Sequence, residues 1–140
     1  MNNSDTIDYL LAHNVKPSVQ RIAIMEYLLE HHTHPTAEEI HTALSPSIPT
    51  LSKTTVYNTL RLFVDNNAAT MLTIDERKVC FDGDLTPHGH LLCKCCGRVY
   101  DVTTAEQTAL NQPVYLEGHE VTEVHTYYKG ICKVCKQTGC

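Results

Sequence analysis

Two Cys-x-x-Cys pairs, Cys93/Cys96 and Cys132/Cys135, and a His-x-His, His88/His90, stand in the last third of the chain. Each Cys-x-x-Cys claw can fill two adjacent corners of a tetrahedron, so two claws supply the four thiolates of a closed structural zinc site. The imidazoles are a separate kind of donor. In an extended segment His88 and His90 point the same way, because side chains alternate with period two. Asp82 lies six residues ahead of His88, Asp101 ends the segment after the first claw, and His34 comes from the N-terminal half. Three imidazoles and two carboxylates form a mixed N/O set suited to Fe(II) or Mn(II) and less suited to a closed zinc site. The sequence therefore predicts two metals of different character, one that builds the fold and one that switches it.

Seven cysteines is an odd number, and Cys80, Cys95 and Cys140 are left over from the claws. Cys95 lies inside the first claw (Cys-Lys-Cys-Cys) and competes with Cys96 as a ligand. Cys96 is preferred because Gly97 follows it and eases the tight turn a metal knuckle needs. Close thiol pairs, with neither a basic nor an apolar leader segment in Met1 to Asp8, favour metal-bound thiolates in a reducing cytoplasm over a disulfide framework. No apolar run is long enough to cross a membrane. An enzyme is not indicated. His34-Pro-Thr-Ala-Glu38 lacks the His-x-Glu spacing of a zinc deaminase, no Pro-Cys-x-x-Cys follows, and His-Glu-x-x-His is absent. A bare zinc-ribbon interaction module would explain the thiols but neither His34 nor the helix described next.

The elements that position these residues divide the 140-residue chain into two halves. The first reads as short helices: 5–12, a run from the Ser18 cap, a third opened by Thr36-Ala-Glu-Glu39, and a fourth from the Ser52 cap to about Asp65. In the fourth, Val56, Leu60 and Phe63 make an apolar stripe, while Thr54, Tyr57, Asn58 and Arg61 fall on a polar face without acids. Such a face fits a DNA major groove. Residues 71–74 and 78–81 alternate around Asp75-Glu76-Arg77 as a hairpin wing. The second half is expected to hold short strands at 91–93 and 99–101, a helix over 104–111, and a long strand over 121–129. The fold class is α+β, with a winged-helix domain at 1–83 and a small zinc-stapled α/β domain at 84–140.

A net charge of −5 looks wrong for a nucleic-acid binder, but its distribution matters more. Residues 9–25 contain Lys16 and Arg21 and no carboxylate, and residues 40–64 contain Lys53 and Arg61 and again none. These acid-free windows are a weak electrostatic footprint for DNA.

The ordered segments Val15-Lys-Pro-Ser-Val-Gln-Arg21, His34-Pro-Thr-Ala-Glu-Glu-Ile40, Ser52-Lys-Thr-Thr-Val-Tyr-Asn-Thr-Leu60, Phe81-Asp82, His88-Gly-His-Leu-Leu-Cys-Lys-Cys-Cys-Gly97 and Gly130-Ile-Cys-Lys-Val-Cys135 resemble the ferric uptake regulator (Fur) family of bacterial metalloregulators. The resemblance covers nearly the whole chain. It implies a winged-helix DNA-binding domain, a C-terminal dimerisation domain, and a homodimer that represses by binding palindromic double-stranded operator DNA when metallated. It implies no small-molecule substrate. The regulatory site of the family's peroxide-sensing branch (PerR) matches His34, Asp82, His88, His90 and Asp101. Iron-sensing relatives commonly carry Glu at the position of Asp101, so an iron-responsive repressor is the nearest alternative. A further site of iron sensors draws on residues beside the His-x-His, and Pro87 and Gly89 offer no side-chain ligands there, so His119 and His125 are unassigned.

The implied mechanism follows. Metal at His34 and the hinge ligands would set two winged domains at a spacing that fits successive major grooves, about 34 Å apart. With Fe(II) bound, peroxide would generate an oxidant beside His34 and His88, convert a ligand imidazole to 2-oxo-histidine and release the DNA; Mn(II) would support repression and resist this chemistry. By the same resemblance Lys16 would enter the minor groove, and Tyr57 with its helix neighbours would read the major groove. The DNA contacts expected are Lys16, Arg21, Lys53, Thr54, Tyr57, Asn58 and Arg61.

Overall fold

The computed structural model describes residues 3–85, 88–103 and 114–140, which fall into two compact units, Met1–Leu85 and Thr86–Cys140. In the first, α1 (Asn3–Ala12), α2 (Val19–Glu30), α3 (Ala37–Leu44) and α4 (Lys53–Asp65) precede the antiparallel strands β1 (Thr70–Leu72) and β2 (Cys80–Asp82). Three helices begin where a hydroxyl can satisfy an orphan amide. Ser18 Oγ accepts from the Arg21 amide at 3.2 Å, Thr36 Oγ1 from Glu39 at 3.1 Å, and Ser52 Oγ from Thr55 at 3.0 Å. The core is drawn from every helix: Leu10, Ile24, Met25, Leu28, Ile40, Val56, Leu60 and Phe63 are fully buried, and Phe81 of β2 joins them. Along α4, Val56, Thr59, Leu60 and Phe63 face inward while Thr54, Tyr57, Asn58 and Arg61 stay exposed.

The wing is shorter than its sequence pattern suggests. Its strands pair Thr70 with Asp82, Met71 with Phe81 and Leu72 with Cys80, in place of the expected 71–74 and 78–81. Asp75 Oδ1 accepts from the Arg77 amide at 2.9 Å, closing a side-chain turn, and Ile74 buries itself beside it. Both effects draw residues 73–79 out of the ladder and into a broad loop.

The second unit contains β3 (Gly89–Cys93), β4 (Val99–Val102), β5 (Val114–Leu116), β6 (His119–Val121), β7 (Tyr127–Gly130) and α5 (Lys133–Thr138). One sheet runs β4-β3-β7, with β3 antiparallel to β4 and parallel to β7, and β5 and β6 form a separate hairpin. The long strand expected over 121–129 is divided. Glu117 and Gly118 both take left-handed backbone (φ 50° and 85°), so β6 turns back on β5, and the chain re-enters a sheet only at Tyr127. The helix expected over 104–111 lies outside the described residues. Sequence pattern did not indicate α5. Cys132 caps it by accepting from the Cys135 amide at 3.4 Å, and Gly139 closes it in the left-handed region.

Candidate functional site

Four sulfurs converge at one end of the three-stranded sheet. Cys93 ends β3, where the Lys94 amide donates to the Gly130 carbonyl at 2.7 Å and holds the first claw against the end of β7. The chain then turns through Gly97 at φ 76°, a conformation a side chain resists, and the Gly97 amide donates to the Cys93 carbonyl at 3.0 Å. The second claw is the first turn of α5. The Cys132 amide donates to Cys93 Sγ at 3.3 Å, and Cys96 Sγ lies 3.9 Å from Cys132 Sγ. All four ligand sulfurs, Cys93, Cys96, Cys132 and Cys135, lie within 4.8 Å of one another. Tetrahedral zinc with bonds of ~2.3 Å sets its sulfurs ~3.8 Å apart, so the cage has the right size for that ion.

The thiols differ in acidity. Amide donation from Cys132 and Cys96 pulls Cys93 down to about 6. Cys132 is lowered chiefly by the Tyr100 hydroxyl, which donates to its sulfur and is itself held above the usual tyrosine range. Cys135 is pushed up to about 12 by burial and by the adjacent thiols. Four such groups cannot all ionise together without a cation among them, which is the condition a divalent metal satisfies. Cys96 belongs to this cage. Cys95 pairs instead with Cys140 as a disulfide, and Cys80 is buried in the other unit, its thiol raised by burial.

Each unit by itself brings some of the N/O donors together. In the first unit His34 Nε2 lies 3.6 Å from Asp82 Oδ2, and both side chains are almost wholly buried. The Phe81 amide donates to the Pro35 carbonyl at 2.9 Å and pins the segment before α3 onto β2. His34 sits at φ 57°, an uncommon region for a residue with a side chain, at a cost on the order of 1 kcal/mol. The other Asp82 oxygen accepts from the Asp84 amide at 2.9 Å. In the second unit His88 Nε2 and His90 Nε2 lie 3.1 and 3.4 Å from Asp101 Oδ1, with ring centroids 4.6 Å apart. Their register explains this, since His90 pairs with Asp101 across β3 and β4. These groupings contain no thiol. His125 is exposed, and its Nε2 lies 3.3 Å from Glu123 Oε2.

The acid-free windows also meet. A cleft of about 490 Å³ in the first unit is lined by Lys16, Ser18, Arg21, Thr55 and Asn58 among others, bringing the start of α2 against α4. Arg21 Nη1 donates to the Lys16 carbonyl at 2.9 Å and stiffens that rim. Tyr57 is 45% exposed, enough to offer its ring. Lys53 is the exception among the expected DNA contacts, because its ammonium meets Glu38 at 3.2 Å, a carboxylate just outside the acid-free window. That exposed pair is weak and separable.

Sequence reasoning missed Tyr100 and the Cys95–Cys140 pair. Tyr100 carried no signal beyond its place in a strand after the first claw. The pairing of Cys95 with Cys140 depends on two turns meeting, which no local spacing encodes.

Comparison with known proteins adds to this geometry. The family model of the ferric uptake regulator family matches residues 12–137. A peroxide-responsive repressor (PerR) of Staphylococcus epidermidis is 36% identical over 136 residues, covering 96% of this chain and 91% of the relative. Among solved structures, the ferric uptake regulator of Helicobacter pylori, described as having three functional metal binding sites, superposes with a TM-score of 0.72 at 17% identity, over 97% of this chain and 95% of that one. PerR from Streptococcus pyogenes superposes at 0.53 with 26% identity, over 95% and 92%. Family members are transcriptional regulators and not enzymes. A family model spanning most of the chain and a relative alike along nearly its whole length agree with the thiol cage and the capped helices: this chain belongs to the ferric uptake regulator family.

Proposed function

We propose that this chain is a metal-dependent transcriptional repressor that binds palindromic operator DNA as a homodimer in the cytoplasm and senses peroxide through oxidation of its own ligand histidines. The observation that carries the reading is the pair of histidine–aspartate groupings, His34 with Asp82 and His88 and His90 around Asp101. Their chemistry suits Fe(II) or Mn(II), held by all five residues, while Cys93, Cys96, Cys132 and Cys135 hold a structural zinc. Aspartate at position 101, where iron sensors commonly carry glutamate, and the relative named for peroxide response support a peroxide sensor over an iron-responsive one.

Each part of the chain has a stated task. Asp82 and Asp101 supply negative charge that repels in the absence of a cation and is neutralised with one, so folding around the ion is favoured. Bound Fe(II), unlike Mn(II), would activate hydroperoxide, so that overall one peroxide gives one oxygen to an imidazole, which loses two electrons, and leaves as water. His34 and His88 would then be the side chains at risk, the pair that likeness to the peroxide-sensing branch implies. Gain of one oxygen turns an imidazole into 2-oxo-histidine, a poorer donor. Loss of His34 as a ligand releases the N-terminal unit, and with it the DNA face of Lys16, Arg21, Lys53, Thr54, Tyr57, Asn58 and Arg61. The thiolates of the cage remain structural.

Fluorescence anisotropy with operator-type DNA tests this. Both the Mn(II) and Fe(II) forms are expected to bind and the chain with zinc alone to bind weakly, with His34→Ala reducing metal-dependent affinity at least roughly tenfold. Peroxide is expected to abolish binding by the iron form only. Iron-form binding that survives peroxide would move the assignment to an iron-responsive repressor.

A further inference from the structure

The cage needs four sulfurs, yet the second unit brings six together. Cys95 and Cys140 are positioned by two independent turns. Cys95 rides the knuckle closed by the Gly97 amide on the Cys93 carbonyl. Cys140 follows left-handed Gly139 (φ 71°), and the amides of Gly139 and Cys140 both donate to the Cys135 carbonyl, at 3.0 and 3.2 Å. Ligand atoms of Cys95, Cys135 and Cys140 lie within 4.8 Å of one another. Cys95 and Cys140 are paired as a disulfide across a Cα–Cα distance of 6.2 Å, within the span such a bond accepts. Cys93, Cys96, Cys132 and Cys135 stay out of that bond, so the disulfide and a metal-bound cage are compatible.

We propose that Cys95 and Cys140 are a reversible oxidation site that reacts with hydroperoxide ahead of the zinc thiolates and, once joined, clasps the two claws of the cage together. Cys140 is exposed and Cys95 half-buried; of the cage residues Cys93, Cys132 and Cys135 are buried and Cys96 is exposed, so coordination must protect Cys96. A thiolate bound to zinc also has its electron pair committed to the ion, so the two uncommitted sulfurs react first. Cys140 Sγ attacks a peroxide oxygen; the S–O bond forms, the O–O bond breaks, and the departing hydroxide takes the thiol proton as water. Cys95 Sγ then attacks the Cys140 sulfur; the S–S bond forms, the S–O bond breaks, and a second water leaves with the Cys95 proton. Two thiols lose two electrons in all, and one peroxide becomes two waters. A small dithiol or protein dithiol reverses the bond by exchange.

The bond closes a loop with a sequence separation of 45, which contains Cys96 of the first claw and both cysteines of the second, while Cys93 stands two residues outside it. Closing it restricts the unfolded chain and keeps both knuckles adjacent, so zinc leaves more slowly. This consequence rests on zinc occupying the cage, which the metal content of the reduced chain tests separately.

The test takes the reduced, zinc-loaded chain, measures its metal content, and adds peroxide stepwise. Remaining thiols are alkylated, cross-linked peptides are mapped by mass spectrometry, and a chromogenic chelator reports released zinc. The Cys95–Cys140 cross-link is expected to accumulate before the chelator responds, and dithiothreitol should reverse it. Cys95→Ser and Cys140→Ser should each lose zinc under peroxide roughly tenfold faster, a third of the full closure entropy of such a loop. Cross-links among the cage cysteines in place of Cys95–Cys140, or variants that keep zinc as the unaltered chain does, would overturn the proposal. So would loss of zinc from reduced Cys95→Ser, which would make Cys95 a ligand, or a second metal ion lost in Cys140→Ser, which would make the trio a metal site. A reduced chain found without zinc would remove the clasp, and the cross-link map alone would then decide the oxidation site.

Discussion

Cys93 and Cys135 belong to one cage and ionise at opposite extremes, about 6 and about 12. The sign of the pH dependence follows. At neutral pH Cys93 has already lost its proton, whereas Cys135 keeps one that an incoming metal must displace. Zinc affinity should therefore rise with pH, by roughly tenfold per unit from Cys135 alone, and should fall more steeply below about 6, where Cys93 also takes up a proton. A competition titration with a chelator across that range checks both slopes; a flat profile would contradict the assigned ligands. Tyr100 has a role that is distinguishable from packing. Tyr100→Phe removes only the hydroxyl that donates to Cys132, so zinc affinity should drop ~10- to 100-fold with the apolar ring still in place. Little of this was legible in the sequence. The meeting of four sulfurs was, because claw spacing is local, but the acidity of Cys93 and Cys132 depends on amides and a hydroxyl brought in from other segments.

Among the elements, α4 divides a buried stripe from the exposed face proposed for recognition along a single helix. Phe63 is fully buried and Tyr57 is 45% exposed. Phe63→Ala should cost ~3–5 kcal/mol of stability through the cavity it leaves. Tyr57→Ala should leave the unfolding midpoint nearly unchanged while weakening DNA binding roughly 5- to 100-fold. Thermal unfolding and anisotropy on the same two variants check this, and a Tyr57→Ala chain that melts early would place Tyr57 in the packing. The stripe and the face of α4 were readable because helical period and the Ser52 cap are written in neighbouring residues. The wing strands were misplaced because Asp75 turns the chain with its own side chain, a competition that apolar alternation does not show. The long final strand was overdrawn because strand-favouring residues, Val121, Thr122, Val124, Thr126, Tyr127 and Tyr128, continue across a break in pairing. At six residues α5 is too short to show a helical period, and its cap is a thiol instead of a hydroxyl.

For the molecule as a whole, an overall charge of −5 coexists with an acid-free side where α2 and α4 meet. The net value is no obstacle to the proposed DNA binding, because phosphates would meet that side and not the average. The ligand residues show where long-range reasoning ends. His88, His90 and Asp101 are joined by strand register, but nothing near His34 fixes its pairing with Asp82, 48 positions later in the numbering; residue type made both candidates, and likeness to the family implied that they act together. The most direct measurement is therefore on the histidines themselves. The chain is loaded with Fe(II) or Mn(II), exposed to a small excess of peroxide, and digested, and added oxygen is located by peptide mass spectrometry. A gain of one oxygen on the peptides of His34 or His88, in the iron sample alone and in step with loss of DNA binding, is the predicted result. Unmodified histidines in an iron-loaded chain that still binds DNA would contradict peroxide sensing by this site.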